Sequence, residues 1–399
     1  MHDPPSGEIA TTPEMRLFKL LRELEIDSMW LRSQALELWA SSGFDADREM
    51  FHERLTFDGA GIITAPQRVM VQARQCATYS AAALSGRFPG GASLALRAGH
   101  SMVRHYLEAD GSPGWIFSLD SEGKIADSKR DLYAHAFVIF SLSWLLRLES
   151  DHLFTNAVDK TLSFLDSSFA DSLCGGYWDC LPRSGGFRQQ NPHMHLFEAY
   201  IALFESTQSE EILVRCKSLC NLACRYFINE QSGALREYYD DHWNVIPAPG
   251  QGSVEPGHLY EWAWLLRRYE RICGEDQSDV VRSLLCLALR AGTDQPRGRI
   301  VDEIDENGNL RSASSRLWCH AEALKALSTE IGQSEVDHLQ IVEHILHRIS
   351  TVYCPDSLRG GWIDHVDEHD RPISQFMPAS SLYHIYFGIT AVEDSIRET

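Results

Sequence analysis

The ten residues from Asn191 to Tyr200 read NPHMHLFEAY, two histidines, a carboxylate and an Asn-Pro step at the start of an otherwise amphipathic helix. Histidine changes charge close to neutral pH, so it can take a proton and return it. The arrangement recurs along the chain. His195 is followed by Glu198 and His258 by Glu261, three residues on and therefore on the same helix face. His384 follows Pro378-Ala379-Ser380-Ser381 in the same manner, as His258 follows Pro256-Gly257. Asn191 suits an N-cap and Pro192 a first helical position, which puts His195 on the first turn. Three histidines at three helix starts would serve proton transfer if the fold brought those starts together.

The spacing says that it does. Arg74 in PQRVMVQAR, Tyr133 in RDLYAHAF, His195, His258 in EPGHLYEWAW, Trp318 in SSRLWCHAE and His384 in MPASSLYHIY all open helical stretches. They lie 59, 62, 63, 60 and 66 residues apart. A fixed period of this size is the mark of a repeat architecture, and each unit has room for two helices and a long connection. The connections read as hairpins: WIFSLDSEGKIAD, YWDCLPRSGGF, REYYDDHWNVIPAPGQG, IVDEIDENGNLR and WIDHVDEHDRPIS. GGYWD at Gly175 and GGWID at Gly360 are nearly a literal repeat. Six helix pairs can stack as an open solenoid or close into a ring. Closure is favoured, because the polar residues fall on alternate helices, always near the start. The expected fold is all-α, an (α/α)6 toroid with short β-hairpins in the loops at one rim. Residues 1–14 are expected to form a polar tail and residues 15–399 a single barrel domain.

Composition narrows the partners. The 399 residues are 44% apolar and 23% charged, as in a globular chain, and the net charge is −20. Such an acidic surface repels nucleic acid and anionic membranes. No apolar run is long enough to span a bilayer, and the first residues, MHDPPSGEIATTPEM, have neither the basic start nor the apolar stretch of a secretory signal. Ten cysteines without a C-x-x-C pair fit a reducing cytoplasm. Cys216, Cys220 and Cys224 repeat every four residues on one helix; one helix cannot wrap a tetrahedral metal site, so they read as small core residues. A monomer or a homodimer is expected.

At these residues the chain resembles the N-acylglucosamine 2-epimerase superfamily of sugar epimerases and isomerases, which are (α/α)6 barrels. The likeness runs from QAR at Gln72 to Tyr383-His384. NPHMHLFEA, RDLYAHAF, EPGHLYEWAWLL, RLWCHAE and GGWIDHVDEHDRPI look most like the D-mannose isomerase branch. The branch acting on N-acylated sugars typically lacks the histidine corresponding to His195, and cellobiose epimerases usually carry tryptophan where this chain has Ala379. Cys319-His320 departs from the Pro-Gln usual in mannose isomerases.

The resemblance implies an isomerase that interconverts an unphosphorylated aldose and ketose through an enediol, with a sugar 2-epimerase or a sulfonated-sugar isomerase as the alternatives. It implies that His384 takes the C2 proton, with His258 as its opposite partner and Glu261 orienting His258 or raising its basicity. It implies that Arg74 stabilises the enediolate, where fixed positive charge is worth most. Tyr133, Asn191 and His195 would hold sugar hydroxyls, and Trp318 would stack on the ring. No cofactor and no metal is expected. Taken singly, Arg74, Tyr133 and Trp318 would read as an ion pair and core aromatics. His193 is expected to face away from the pocket, and Glu198 to pair with a neighbouring helix.

Three other readings use some of the same residues. His-x-x-Glu on two helices is similar to the Glu-x-x-His of di-metal bundles, but the order is reversed and two further carboxylates are missing. A glycoside hydrolase on the same barrel would need an acid pair, for which Asp120, Asp179 and Asp364 are the candidates. A non-catalytic helical scaffold gives no reason for histidines in register.

Overall fold

Helices that are apolar on every face must be enclosed by protein, whereas those with one apolar stripe can face water. That distinction orders the whole molecule. A computed structural model describes residues 13–183, 187–246, 252–332 and 338–398. The chain enters through α1 (Pro13–Trp30), which passes through one wide π-turn, Leu31–Ala35, into α2 (Leu36–Ser41). Next come α3 (Val69–Leu84), α4 (Gly91–Tyr106), α5 (Leu132–Leu148) and α6 (His152–Phe164). The second half holds α7 (Gln190–Thr207), α8 (Glu210–Leu222), α9 (Pro256–Cys273) and α10 (Ser278–Leu287). Last are α11 (Leu317–Ser328), α12 (His338–Arg348) and α13 (Ser381–Glu398).

The odd-numbered helices from α3 to α13 are buried almost all round and form the inner layer. Each packs on the next, and α13 packs on α3, so the ring is closed. Helices α4, α6, α8, α10 and α12 lie behind the inner helix that precedes them, and α1 covers α12 and α13. This is an (α/α)6 barrel. Helix α1 begins at Pro13, two residues before the expected start of the barrel at residue 15, and residues 1–12 lie outside the described residues. No helix among the described residues is long and apolar enough to cross a membrane. Cys216 and Cys220 are buried and Cys224 half-buried on α8.

Short strands hold all six inner helices to one rim. Each inner helix is preceded by a two-residue strand, from Gln67–Arg68 before α3 to Met377–Pro378 before α13. Each strand pairs antiparallel with one in the loop leading to the next inner helix. The last closes the circle, with Met377 opposite Leu55 and Pro378 opposite Arg54. The aspartates that recur in the hairpin loops brace their own turns. Asp120, Asp240, Asp305 and Asp367 each accept the N–H groups two and four residues on at 2.8–2.9 Å.

Buried histidines add a second set of ties. Nε2 of His135, His193 and His320 accepts the backbone N–H of Trp115, Tyr177 and Ile300 at 3.1, 3.0 and 3.2 Å. Nδ1–H of each donates to the carbonyl four residues earlier, on Asp131, Gln189 and Arg316. Gln72 does the same work on α3, exchanging two 2.8 Å bonds with the backbone of Phe51. His193 therefore points at a loop and is part of the frame.

Candidate active site

The inner helices deliver their first turns to a cavity of about 350 Å³ at the stranded rim. Arg74, Tyr133, Asn191, His195, His258, Glu261, Trp318 and His384 all line it, one or two from each inner helix. Glu255, Arg316, Asp364, Ser380 and Ser381 complete the lining. A separate cavity of about 430 Å³ lies at the opposite mouth between Trp144 and Trp264. Its Arg87, Arg268 and Arg271 face the negative ends of the inner helices, where cations belong.

Trp318 stands between the two histidines, its ring centroid 5.2 Å from that of His258 and 5.8 Å from that of His384. A side chain at Gly257 would come within 2.5 Å of the indole, so glycine there lets Trp318 lie against the start of α9. Helix α7 begins at Gln190, two residues earlier than the Asn-Pro step suggests. Asn191 is consequently no cap. It sits in the first turn, with its buried Oδ1 unmatched by any protein donor and its side chain on the cavity wall.

The two histidines beside Trp318 have opposite electrostatic surroundings. Nδ1 of His258 is 3.0 Å from Glu237 Oε1, and the other Glu237 oxygen accepts from Gln190 at 2.8 Å. Burial opposes a charge on His258, but Glu237 and Glu255 outweigh it and push the pKa up to about 10. His258 is an imidazolium at neutral pH. Nδ1 of His384 is 2.6 Å from Glu322 Oε1. Burial, joined by the positive charges of Arg74 and Lys325, holds His384 well below the ordinary histidine range. It is neutral, with Nδ1 engaged and Nε2 left for the cavity. Environments that drive two like groups apart in pKa create an acid and a base from one residue type.

Orienting His258 does not fall to Glu261, one turn beyond it, although Glu261 is among the carboxyl groups that raise the His258 pKa. The loop residue Glu237 takes that part, while Glu261 Oε1 lies 3.7 Å from Nδ1 of His195. Both Glu261 oxygens are buried without a hydrogen-bond partner. Burial and the neighbouring Glu322 raise its pKa well above the usual carboxylate range. His195 is lowered to about 4, by burial first, with Glu198 at 3.3 Å in partial compensation. Glu198 stays ionised despite its burial, helped by Lys325, His195 and the Tyr383 hydroxyl that donates to it. Arg74 donates to the Tyr133 hydroxyl and, at 3.4 Å, to the carbonyl of Ser380; its guanidinium lies 4.0 Å over the Phe137 ring.

Cys319 and His320 stay out of the cavity. Cys319 is buried against Gly257 and His320 ties down Ile300, so Trp318 alone represents that segment. Of the acids a hydrolase would need, Asp364 reaches the cavity, where Ser381 donates to it. Asp120 braces its own turn, and Asp179, raised to about 7 by burial, lies behind the start of α5, where its carbonyl accepts from Leu132. Among the described residues, three groups have donor atoms close enough to share a cation: His195, Glu198 and Glu261; Glu237, Glu255 and His258; Glu261, Glu322 and His384. In the first and third an ion would displace Tyr383 or Lys325 from a carboxylate already held. In the second it would replace the proton between His258 and Glu237.

Comparison with known proteins agrees with the barrel fold. Residues 50–388 match the family model for N-acylglucosamine 2-epimerase (GlcNAc 2-epimerase). A mannose-6-phosphate isomerase of Rhizobium meliloti (strain 1021) is 30% identical over 379 residues, 92% of this chain and 96% of the relative. A cellobiose 2-epimerase of Bacteroides fragilis is 23% identical over 314 residues, 74% and 78% of the two chains. A solved D-mannose isomerase superposes with a TM-score of 0.81 at 20% identity, covering 98% of this chain and 100% of that one. With the family model matched over most of its length, the chain belongs to the N-acylglucosamine 2-epimerase family of sugar isomerases and epimerases.

Proposed function

We propose that the chain is an aldose–ketose isomerase for an unphosphorylated monosaccharide of the mannose–fructose type. The observation that carries the chemistry is the contrast between neutral His384 and protonated His258 on either side of Trp318. With the sugar ring resting on Trp318, His258 donates its proton to the ring oxygen as the bond from C1 to that oxygen breaks, and takes back the proton that the C1 hydroxyl gives up on becoming the carbonyl. Nε2 of His384 removes the C2 proton and returns it to C1. Arg74, backed by the Tyr133 hydroxyl, faces the negative charge of the enediolate. Asn191, His195 and Glu261 hydrogen-bond the hydroxyls.

Three features favour this substrate and outcome. The cavity is at the small end of ligand sites, suited to one sugar ring. Set against the cations Arg74, Arg316 and His258, the lining carries the carboxyl groups of Glu255, Glu261 and Asp364, which a phosphate dianion would have to face. Ala379 stands where cellobiose epimerases usually carry tryptophan, and it is buried with its carbonyl bonded to Gln75. A second substrate reading is mannose 6-phosphate, from the name of the Rhizobium relative; the half-exposed Arg316 at the lip favours it.

The test is incubation of mannose, and separately mannose 6-phosphate, in heavy water with NMR of the products. Fructose deuterated at C1, with glucose slower or absent, is expected from free mannose. Glucose labelled at C2 appearing first would make the chain an epimerase. Turnover of the phosphorylated sugar alone would move the substrate to the second reading.

A further inference from the structure

The base of this reading is backed by more than Glu322. Lys325 lies one turn beyond Glu322 on α11, and its side chain is fully buried. Its Nζ is 2.6 Å from Glu322 Oε2, while Glu322 Oε1 is 2.6 Å from Nδ1 of His384. Nζ is also 3.9 Å from Glu198 Oε1 and 3.9 Å from the centre of the Trp264 ring. A buried lysine is costly, and an apolar residue is the ordinary occupant of such a place.

We propose that Lys325 is a positioning residue for the catalytic base: it keeps Glu322 anionic, and so holds His384 as the Nδ1–H tautomer with a bare Nε2 toward the sugar. The assignment rests on His384 being that base. The reason lies in what a neutral Glu322 would do. Three carboxyl groups, Glu198, Glu261 and Glu322, converge beneath the cavity, and burial favours the protonated form of each. A protonated Glu322 would donate to Nδ1 of His384 and leave the ring's own proton on Nε2. The cavity would then meet an N–H where it needs a lone pair. The other charged or titratable groups around His384 are Arg74 on α3, His195 and Glu198 on α7, His258 and Glu261 on α9, and Tyr383 on α13. Lys325 alone among them touches the second oxygen of Glu322.

The experiment compares the wild type with Lys325→Met and Lys325→Arg. Long-range ¹H–¹⁵N correlation reads the imidazole tautomer, with the His384 signals assigned by their loss in His384→Asn. The wild type should show Nδ1–H and Lys325→Met Nε2–H. With the tautomer reversed, kcat/KM should fall by about 10²-fold or more, the usual worth of a general base, and Lys325→Arg should recover most of it. Should Lys325→Met fail to fold, Glu198→Gln/Lys325→Met keeps the buried charge balanced and is compared with Glu198→Gln alone. An Nδ1–H tautomer with undiminished kcat/KM in the lysine-free protein would overturn the assignment. The tautomer is read without substrate, so a wild type that turns over no sugar would overturn the proposed function and leave this measurement standing.

Discussion

Glu237 Oε1 lies 3.0 Å from Nδ1 of His258, joining a loop carboxylate to a histidine on the first turn of α9. The pair raises the His258 pKa, and with His258 as the proposed acid it should set the alkaline edge of activity. kcat/KM should fall as pH rises through about 10, where His258 loses its proton. Glu237→Gln keeps the shape and removes the charge, so this edge should move to lower pH. An unmoved alkaline limb would show that His258 is not the titrating acid. The sign for stability follows the same charge. His258 binds its proton more tightly folded than unfolded, so its contribution is fully present below pH 6.5 and is lost as pH rises toward 10.

His384→Asn and His258→Asn each preserve size and remove the titrating nitrogen. Turnover should drop at least ~10²-fold in either variant. Both should melt close to the wild type, because these side chains border the cavity. Steady-state kinetics beside thermal melts checks both statements, and near-normal turnover would remove that residue from the acid–base pair.

The framework histidines predict a weakness toward acid. His135, His193 and His320 are buried neutral, their pKa values lowered by burial to about 4, 3 and 3. Unfolding lets each take up a proton below pH 6.5, so the unfolded state binds more protons in this window. Stability should therefore fall as pH drops from 6.5 toward 3, by about 1.4 kcal/mol per pH unit for each histidine. His320→Gln, which copies the tie that Gln72 makes on α3, should flatten this fall. His320→Ala leaves the Ile300 N–H unpaired and should cost about 1–3 kcal/mol at neutral pH. Urea titrations at pH 7 and pH 5 distinguish these outcomes.

Proton transfer between two histidines, with Arg74 facing the enediolate, asks for no metal. Activity should survive exhaustive treatment with a chelator. Loss of activity that one divalent ion restores would bring the Glu237, Glu255 and His258 group forward as a metal site.

The (α/α)6 ring could be read from the sequence because its cause is local and repeated. Arg74, Tyr133, His195, His258, Trp318 and His384 recur at helix starts, and a helix start is written in nearby residues. Closure follows once alternate helices carry the polar positions. That His193 faces away from the pocket was legible for the same reason, since it lies two positions before His195 on a helix, but its tie to the Tyr177 N–H was not. Glu237 was not. It belongs to LREYYDD, an irregular loop in which no period says where a side chain points. Glu322 and Lys325 lie on an inner helix of known register, yet their meaning depends on His384, 62 residues away. Asn191 misled by looking like a cap, because capping preference and cavity lining draw on the same residue type. The proton states were beyond the sequence altogether. Identical imidazoles become acid and base only when burial, Glu237, Arg74 and Lys325 surround them, and that summation over non-local neighbours exists only in the folded ring.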